Sequence, residues 1–296
     1  MNLTSVKNIK ELLRKYKAIP LKQLGQSFLT DEKVLEKIIK ASEIKASDLI
    51  LEIGPGIGVL TKKLAERAKK VIAIEKDPKM VEILKETLKG SKNVEIINKD
   101  VLDLMTKYGK LNLEKKKLAL ISRLSTKNYK IVANLPYNIA SRVIKIFLES
   151  NFPPKKMVFM IQKEIAKRIC AAPPNMNYLA IFVQFYSKAR IIDYISRGSF
   201  WPQPKVDSAI IKIIPFPKAR GVHRGLWGIN SRKELFFKIV KAGFSQPRKQ
   251  LINNLSKKLN LEKESVKKWL LKSGINPAQR AERLNLKDWI LLTKTF

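Results

Sequence analysis

Leu49-Ile50-Leu51-Glu52-Ile53-Gly54-Pro55-Gly56-Ile57-Gly58 decides the fold of this chain. Five residues, four of them β-branched or leucine, read as a buried strand, and a glycine-rich turn follows at once. A helical pattern then runs from about Val59 to Ala68. The unit repeats on the carboxyl side. Val71-Ile72-Ala73-Ile74 reads as a second strand ending at Glu75, and a helix starts at Pro78 with proline in its first turn. Val94-Glu95-Ile96-Ile97 reads as a third strand, closely followed by Asp100. Strand, helix, strand, helix, strand is the signature of a doubly wound, mostly parallel α/β sheet.

Further along, Ile131-Val132-Ala133 reads as a fourth buried strand. It delivers Asn134-Leu135-Pro136-Tyr137 into a turn, and an amphipathic helix follows from Ile139 to Leu148. Met157 to Ile161 reads as a fifth strand and Lys163 to Cys170 as a helix. Leu179 to Ser187 and Ala209 to Ile214 read as late strands that close the sheet. Between them, Ser199 to Ser208 carries two prolines that exclude regular structure. On the amino side, Thr30 is placed as the N-cap of a helix with stripe Val34, Leu35, Ile38 and Ile39. Val101 to Tyr129 is a weakly patterned connection. Near Pro215 to Gly228 the pattern lapses into Pro, Gly and Arg, and only helices follow. The expected division is 1–217 for the α/β domain and 218–296 for a small all-helical domain.

The glycine loop stands where a nucleotide-type cofactor would bind. The dinucleotide fingerprint needs its third glycine at relative position six, which is Val59 here, so that match fails. A carboxylate at Glu75 can accept both hydroxyls of a ribose. Asp100 can accept from an adenine amine. Acidic, glycine-rich surroundings suit a cofactor that lacks phosphate and carries positive charge, and S-adenosylmethionine fits. The competing reading is a glycine turn that merely packs helix on strand.

Asn134 to Tyr137 sits at the carboxyl end of a strand, where open α/β sheets bind ligands. An amide oxygen and a backbone carbonyl can accept both hydrogens of an exocyclic amine and aim its lone pair. Pro136 fixes the backbone and has no N–H, and Tyr137 offers a face on which a base can stack. Taken alone, these four residues favour the plainer reading, a strand-to-helix turn with a buried tyrosine, and the rest of the chain reverses that balance.

Composition narrows the partner. The 296 residues include 60 Lys plus Arg against 25 Asp plus Glu, a net charge of +35, with 45% hydrophobic residues. That charge implies a polyanion, either nucleic acid or an anionic surface. No run of 18 apolar residues is present, which argues against a membrane span. Met1 to Lys17 is basic and weakly amphipathic, without the apolar core of a secretory signal. One cysteine, Cys170, excludes an internal disulfide and a cysteine-based metal site, and one histidine, His223, disfavours histidine-based chemistry.

The chain resembles the small-subunit ribosomal RNA adenine N6-dimethyltransferase family. The matching stretches are Leu24 to Leu29, Glu52 to Gly56, Asn134 to Tyr137, Gln162-Lys163-Glu164, Phe200 to Ala209, Phe244 to Leu255 and Arg280 to Leu284. The resemblance implies a Rossmann-like S-adenosylmethionine-dependent methyltransferase domain with a helical, RNA-binding C-terminal domain. It implies dimethylation of two adjacent adenosines in the 3′-terminal hairpin loop of small-subunit rRNA, on a pre-30S particle, by a cytoplasmic monomer. Cofactor contacts would fall on Ser27, Leu29, Gly54, Glu75, Asp100 and Asn134, and the base would sit between Tyr137 and Phe200. Arg248 and Lys249 would meet RNA, and no metal is implied. Two positions depart from the pattern: Ser27 stands where the family has asparagine, and Tyr178-Leu179-Ala180 lacks an arginine of the corresponding family segment. Rivals are an RNA-binding homologue without activity, or an enzyme acting on 23S rRNA, DNA adenine or a protein glutamine.

Overall fold

The computed structural model describes residues 1–21, 25–106, 129–217 and 232–296. The chain forms two compact units, 1–166 with 189–215, and 167–188 with 216–296. Lys22, Gln23 and Leu24, most of the Val101–Tyr129 connection, and the 218–231 stretch with His223 lie outside the described residues.

The first unit is built on a seven-stranded sheet. Its strands are β2 (Leu49–Ile53), β3 (Lys70–Glu75), β4 (Val94–Asn98), β5 (Tyr129–Asn134), β6 (Lys156–Gln162), β7 (Ser187–Ile195) and β9 (Ser208–Pro215), in the spatial order β4-β3-β2-β5-β6-β9-β7. The first five in that order run parallel, and β9 runs antiparallel to β6. β2 and β5 are buried almost throughout, as continuous apolar runs in a two-sided sheet must be. From β2 the chain builds outward through β3 and β4, then returns to lay β5 on the other side of β2. The carboxyl ends of β2 and β5 therefore flank the topological switch point, where such sheets bind ligands. The glycine loop leaves one of these ends and Asn134 the other.

Helices α2 (Glu32–Ser42), α3 (Val59–Ala65), α4 (Pro78–Thr87), α5 (Val101–Thr106) and α6 (Ala140–Glu149) belong to this unit, and α7 (Lys163–Ile169) follows β6 directly. The stripe Val34, Leu35, Ile38 and Ile39 is buried. The N-cap of α2 is Asp31 and not Thr30: Asp31 Oδ1 accepts from the Lys33 and Val34 amides. A carboxylate one residue closer reaches those amides, and Thr30 is instead held by the Ser199 carbonyl. The first seventeen residues, weakly patterned in sequence, form helix α1 (Val6–Lys15) with Ile9, Leu12 and Leu13 buried.

Two further expectations are corrected. Tyr178–Tyr186 is helix α8 and not a strand. Tyr-Leu-Ala-Ile-Phe-Val-Gln-Phe-Tyr is apolar on every side, so it carries neither period, and burial all round suits a core helix equally well. Asn177 caps it by accepting from the Ala180 amide, and β7 begins only at Ser187. The proline-rich Ser199–Ser208 stretch also holds regular structure. Its β8 (Phe200–Trp201) pairs antiparallel with β1 (Phe28–Leu29), ahead of the prolines.

The second unit contains α8 with α9 (Lys233–Gly243), α10 (Leu251–Leu259), α11 (Lys263–Lys272) and α12 (Leu286–Lys294). A knot of rings from Phe182, Phe185, Tyr186, Phe236 and Phe237 joins α8 to α9, with centroids about 5–6 Å apart. Gly243 lets α9 approach α12, since a Cβ there would stand 2.2 Å from the Trp289 ring. Asn254 Nδ2 donates to the Gly243 and Gln246 carbonyls at 2.7 and 2.9 Å. That pins the turn carrying Arg248 and Lys249, both exposed.

Candidate active site at the sheet switch point

One cavity in the first unit is lined by Ser27, Leu29, Gly54, Glu75, Asp100, Asn134, Tyr137 and Phe200. All eight are site residues expected from the sequence, and the sheet brings them together from strands far apart in the chain. Arg248 and Lys249 belong to the second unit. Gln26, Glu52, Lys99 and Val101 also line the cavity, although the sequence assigns them no role. Gln26 and Glu52 lie inside the motif stretches and Lys99 and Val101 flank Asp100, a signal that reading residue by residue does not turn into a role.

The floor is the glycine loop. Gly54 and Gly56 have φ of +68° and +59°, which side chains rarely adopt. A Cβ on Gly54 would lie 3.4 Å from Pro136, and one on Gly56 3.4 Å from the Phe28 ring. Glycine therefore keeps open a slot between the two halves of the site. Gly54 N–H donates to the Ile74 carbonyl, tying the loop to β3.

Glu75 ends β3 at the cavity wall. Its Oε2 accepts from the Gly56 amide at 3.1 Å and its Oε1 from the Asp77 amide at 2.9 Å. Each carboxylate oxygen has a second lone pair, so the group retains capacity for a diol. Burial raises its pKa, and the two amide bonds work against that rise. Asp77 caps α4 through the Lys79 amide and accepts from Gln26 Nε2 at 2.8 Å, fixing the chain just before Ser27. Asp100 accepts from the Leu102 amide and pairs with Lys76 at 3.0 Å.

Glu52 is 1% exposed, and its Oε2 has no hydrogen-bond partner among the described residues. Burial, reinforced by the nearby Glu75 charge, pushes its pKa to about 8, although the Thr61 hydroxyl opposes the shift. The carboxyl is therefore mostly protonated at neutral pH. In the unfolded chain it ionises near 4.5, so between about 4.5 and 8 the folded state binds the extra proton and stability falls as pH rises. Glu52→Gln removes this titration. The variant's stability relative to the parent is expected to climb across that window, by at most about 5 kcal/mol. Chemical denaturation at a series of pH values reads it, and a difference that does not vary with pH would show that Glu52 ionises normally.

The opposite wall is β5 and its turn. Asn134 Nδ2 donates to the Ser27 carbonyl at 3.4 Å, which leaves Oδ1 as an acceptor facing no protein donor among the described residues. The Leu135 amide is taken by the Met160 carbonyl, while no described hydrogen bond reaches the Leu135 carbonyl. Among the described residues these two adjacent acceptors at the end of one strand thus meet no protein donor. Tyr137 is half-buried, and its hydroxyl pairs with Ser208 Oγ at 2.8 Å. Burial raises the phenol pKa, so the group is neutral.

Phe200 is 5% exposed and sits in the β1–β8 ribbon. The ribbon is clamped by Thr30, whose amide and hydroxyl both donate to the Ser199 carbonyl, and by Ser199 Oγ donating to Asp31. Phe200 is therefore both an anchor of the proline loop and part of the cavity lining. Among the described residues no group of three or more His, Cys, Asp or Glu could hold a metal. No helix there is long and apolar enough to cross a membrane.

Cavity chemistry selects its ligand. The carboxylates of Glu75 and Asp100 favour a cation with a diol and an amine, as S-adenosylmethionine carries. Two bare acceptors beside them favour an aromatic amine.

Comparison with known proteins agrees. The family profile described as Ribosomal RNA adenine dimethylase matches residues 21–296. A Ribosomal RNA small subunit methyltransferase A from Alkaliphilus oremlandii is 39% identical over 99% of this chain and 98% of its own length. Its counterpart from Clostridium botulinum (strain Langeland) is 40% identical over 95% and 96%. Among solved structures, a dimethyladenosine transferase from Plasmodium falciparum superposes with a TM-score of 0.66 at 28% identity, over 90% of this chain and 95% of that one. The 23S rRNA methyltransferase ErmE superposes with a TM-score of 0.67 at 23% identity, over 90% and 98%, a likeness of fold.

Proposed function

Since the chain belongs to the ribosomal RNA adenine dimethylase family, we propose that it dimethylates N6 of two adjacent adenosines in the 3′-terminal hairpin loop of small-subunit rRNA. The observation that carries this reading is the pair of bare acceptors, Asn134 Oδ1 and the Leu135 carbonyl, beside the acid-lined glycine slot. The target adenine leaves its stack to enter the cavity. Asn134 and Leu135 take both N6 hydrogens and point the lone pair, while Tyr137 and Phe200 flank the ring. When bound, S-adenosylmethionine supplies an electrophilic methyl group. Ser27, Leu29, Gly54, Glu75 and Asp100 hold it, with Glu75 on the ribose hydroxyls and Asp100 on the adenine amine. The chain's contribution to rate is positioning and electrostatics, so it needs no strong base.

The sheet-bearing unit acts as the methyltransferase domain and the helical unit, which also takes in 167–188, as the RNA-binding domain, with Arg248 and Lys249 on phosphates. The protein works as a cytoplasmic monomer on a pre-30S particle. A 23S rRNA target is the weaker reading: ErmE shares the fold, while the small-subunit enzymes match at 39–40% identity along nearly the whole chain.

Mapping dimethyladenosine in rRNA from a deletion strain, before and after complementation, tests the assignment. Loss and recovery of the paired modification in small-subunit rRNA is expected. Loss from 23S rRNA, or from neither, overturns it. Glu75→Ala is expected to weaken S-adenosylmethionine by about 1.5–3 kcal/mol, the scale for a charged hydrogen bond. Calorimetry on the folded variant checks this, and unchanged affinity would remove Glu75 from the ribose role.

A further inference from the structure

The second unit holds a cavity of its own, about 430 Å³, lined by Tyr178, Lys238, Lys241, Phe244, Ser245 and Lys258 together with Ala242 and Leu259. That volume lies in the range of small-ligand sites, about 300–1,000 Å³. The composition of its walls is unusual for a packing defect. Two aromatic rings and two aliphatic side chains supply apolar surface. Three exposed lysines stand around them, and none makes an ion pair among the described residues. Lys238 and Lys241 are three residues apart on α9, hence on one helix face, and Lys258 comes from α10. Cations therefore flank the apolar walls from two helices.

A flat ring with negative charge on either side describes one nucleotide of a single strand. We propose that this cavity is a nucleotide-insertion site, in which an unpaired base of the RNA enters against Tyr178 and Phe244. Its neighbouring phosphates lie on Lys238, Lys241 and Lys258. The choice of RNA as the polyanion rests on the function proposed above. Stacking against aromatic rings in a basic groove is the general grammar of single-strand binding, and it tolerates any base. The site differs in kind from the adenine pocket, because it offers no paired acceptors for an amine and no acidic wall for a cationic cofactor.

The test uses the full-length protein and a labelled five-residue oligouridylate, chosen because it lacks the adenine that the first cavity selects. Anisotropy titrations at several salt concentrations give affinity and its salt slope. Tyr178→Ala is expected to weaken binding by about 5- to 150-fold with the slope unchanged, and Tyr178→Phe to bind as the parent does. Lys238→Glu with Lys241→Glu is expected to weaken binding at least tenfold. It should also flatten the log–log slope by about 0.7 for each phosphate that is no longer neutralised. Lys268→Glu with Lys272→Glu, exposed and outside the cavity, is the control for generic charge. Equal losses of affinity in the control pair, or Tyr178→Ala binding like the parent at an unchanged melting temperature, would overturn the site. Methylation of small-subunit particles is measured beside these titrations. Absent methylation with intact cavity binding defeats the enzymatic reading alone, and the converse defeats the cavity alone.

Discussion

Replacing Asn134 with alanine is expected to lower the single-turnover methylation rate by about 10²–10³-fold at saturating cofactor, the scale for removing one preorganised polar group from a site of developing charge. The reasoning starts at the end of β5. Asn134 pairs in register with Met160, and the next amide, that of Leu135, is bound by the Met160 carbonyl. The backbone there cannot drift, so the amide oxygen is held before any substrate arrives. The Ser27 carbonyl takes the amide hydrogen and so sets which end of the side chain faces the cavity. Alanine removes the acceptor and leaves the strand, the Leu135 carbonyl and the glycine loop in place. As nitrogen attacks it gains positive charge and its hydrogens grow more acidic, so the bond to Asn134 strengthens toward the transition state. Loss of such a bond falls on the rate constant more than on substrate affinity. Rapid-quench methylation of small-subunit particles, with cofactor affinity measured separately, reads the two apart. A rate within about threefold of the parent at full cofactor occupancy, under 1 kcal/mol of barrier, would show that Leu135 alone positions the amine, and the role given to Asn134 would be lost.

How far the sequence reveals this arrangement depends on the range of the forces involved. The strand before Gly54, the carboxylate ending β3 and the turn after β5 are legible because each is a local pattern that the parallel sheet repeats. The switch point follows from the order of those patterns. Helix α8 is not legible: a run apolar on every face has no period, and its conformation is decided by the rings of Phe236 and Phe237 that pack on it. The β1–β8 ribbon joins Phe28 to Trp201 and Leu29 to Phe200, a pairing too short to leave a signal in either segment. Lys167–Lys188 gathers with the C-terminal helices, although it precedes two strands of the sheet in the chain. Side-chain details are hidden for the same reason. The Tyr137–Ser208 bond and the orphaned oxygen of Glu52 depend on which distant surface closes over each group.

Tyr137 supplies the last expected result. Its ring lines the cavity beside Phe200, while its hydroxyl is spent on Ser208 Oγ at 2.8 Å. A hydroxyl engaged in the wall, neutral and with its pKa raised by burial, is not a base. The face of the ring is then what the substrate meets, and base stacking on an aromatic residue contributes roughly 1–3 kcal/mol. Tyr137→Ala should therefore lower the methylation rate by about 5- to 150-fold. Tyr137→Phe keeps the face and loses one neutral hydrogen bond, which contributes about 0.5–1.5 kcal/mol to stability. It should melt slightly earlier and retain most of its rate. Ser208→Ala removes the same bond from the other side, so its melting shift should match that of Tyr137→Phe, and the double variant should lose little more. Cofactor affinity should stay near the parent value in all of them, because Gly54, Glu75 and Asp100 are untouched. Single-turnover rates, melting curves and a cofactor titration give the full set. A phenylalanine variant as slow as the alanine variant would assign the function to the hydroxyl. An alanine variant as fast as the parent would make Tyr137 a packed turn residue and nothing more.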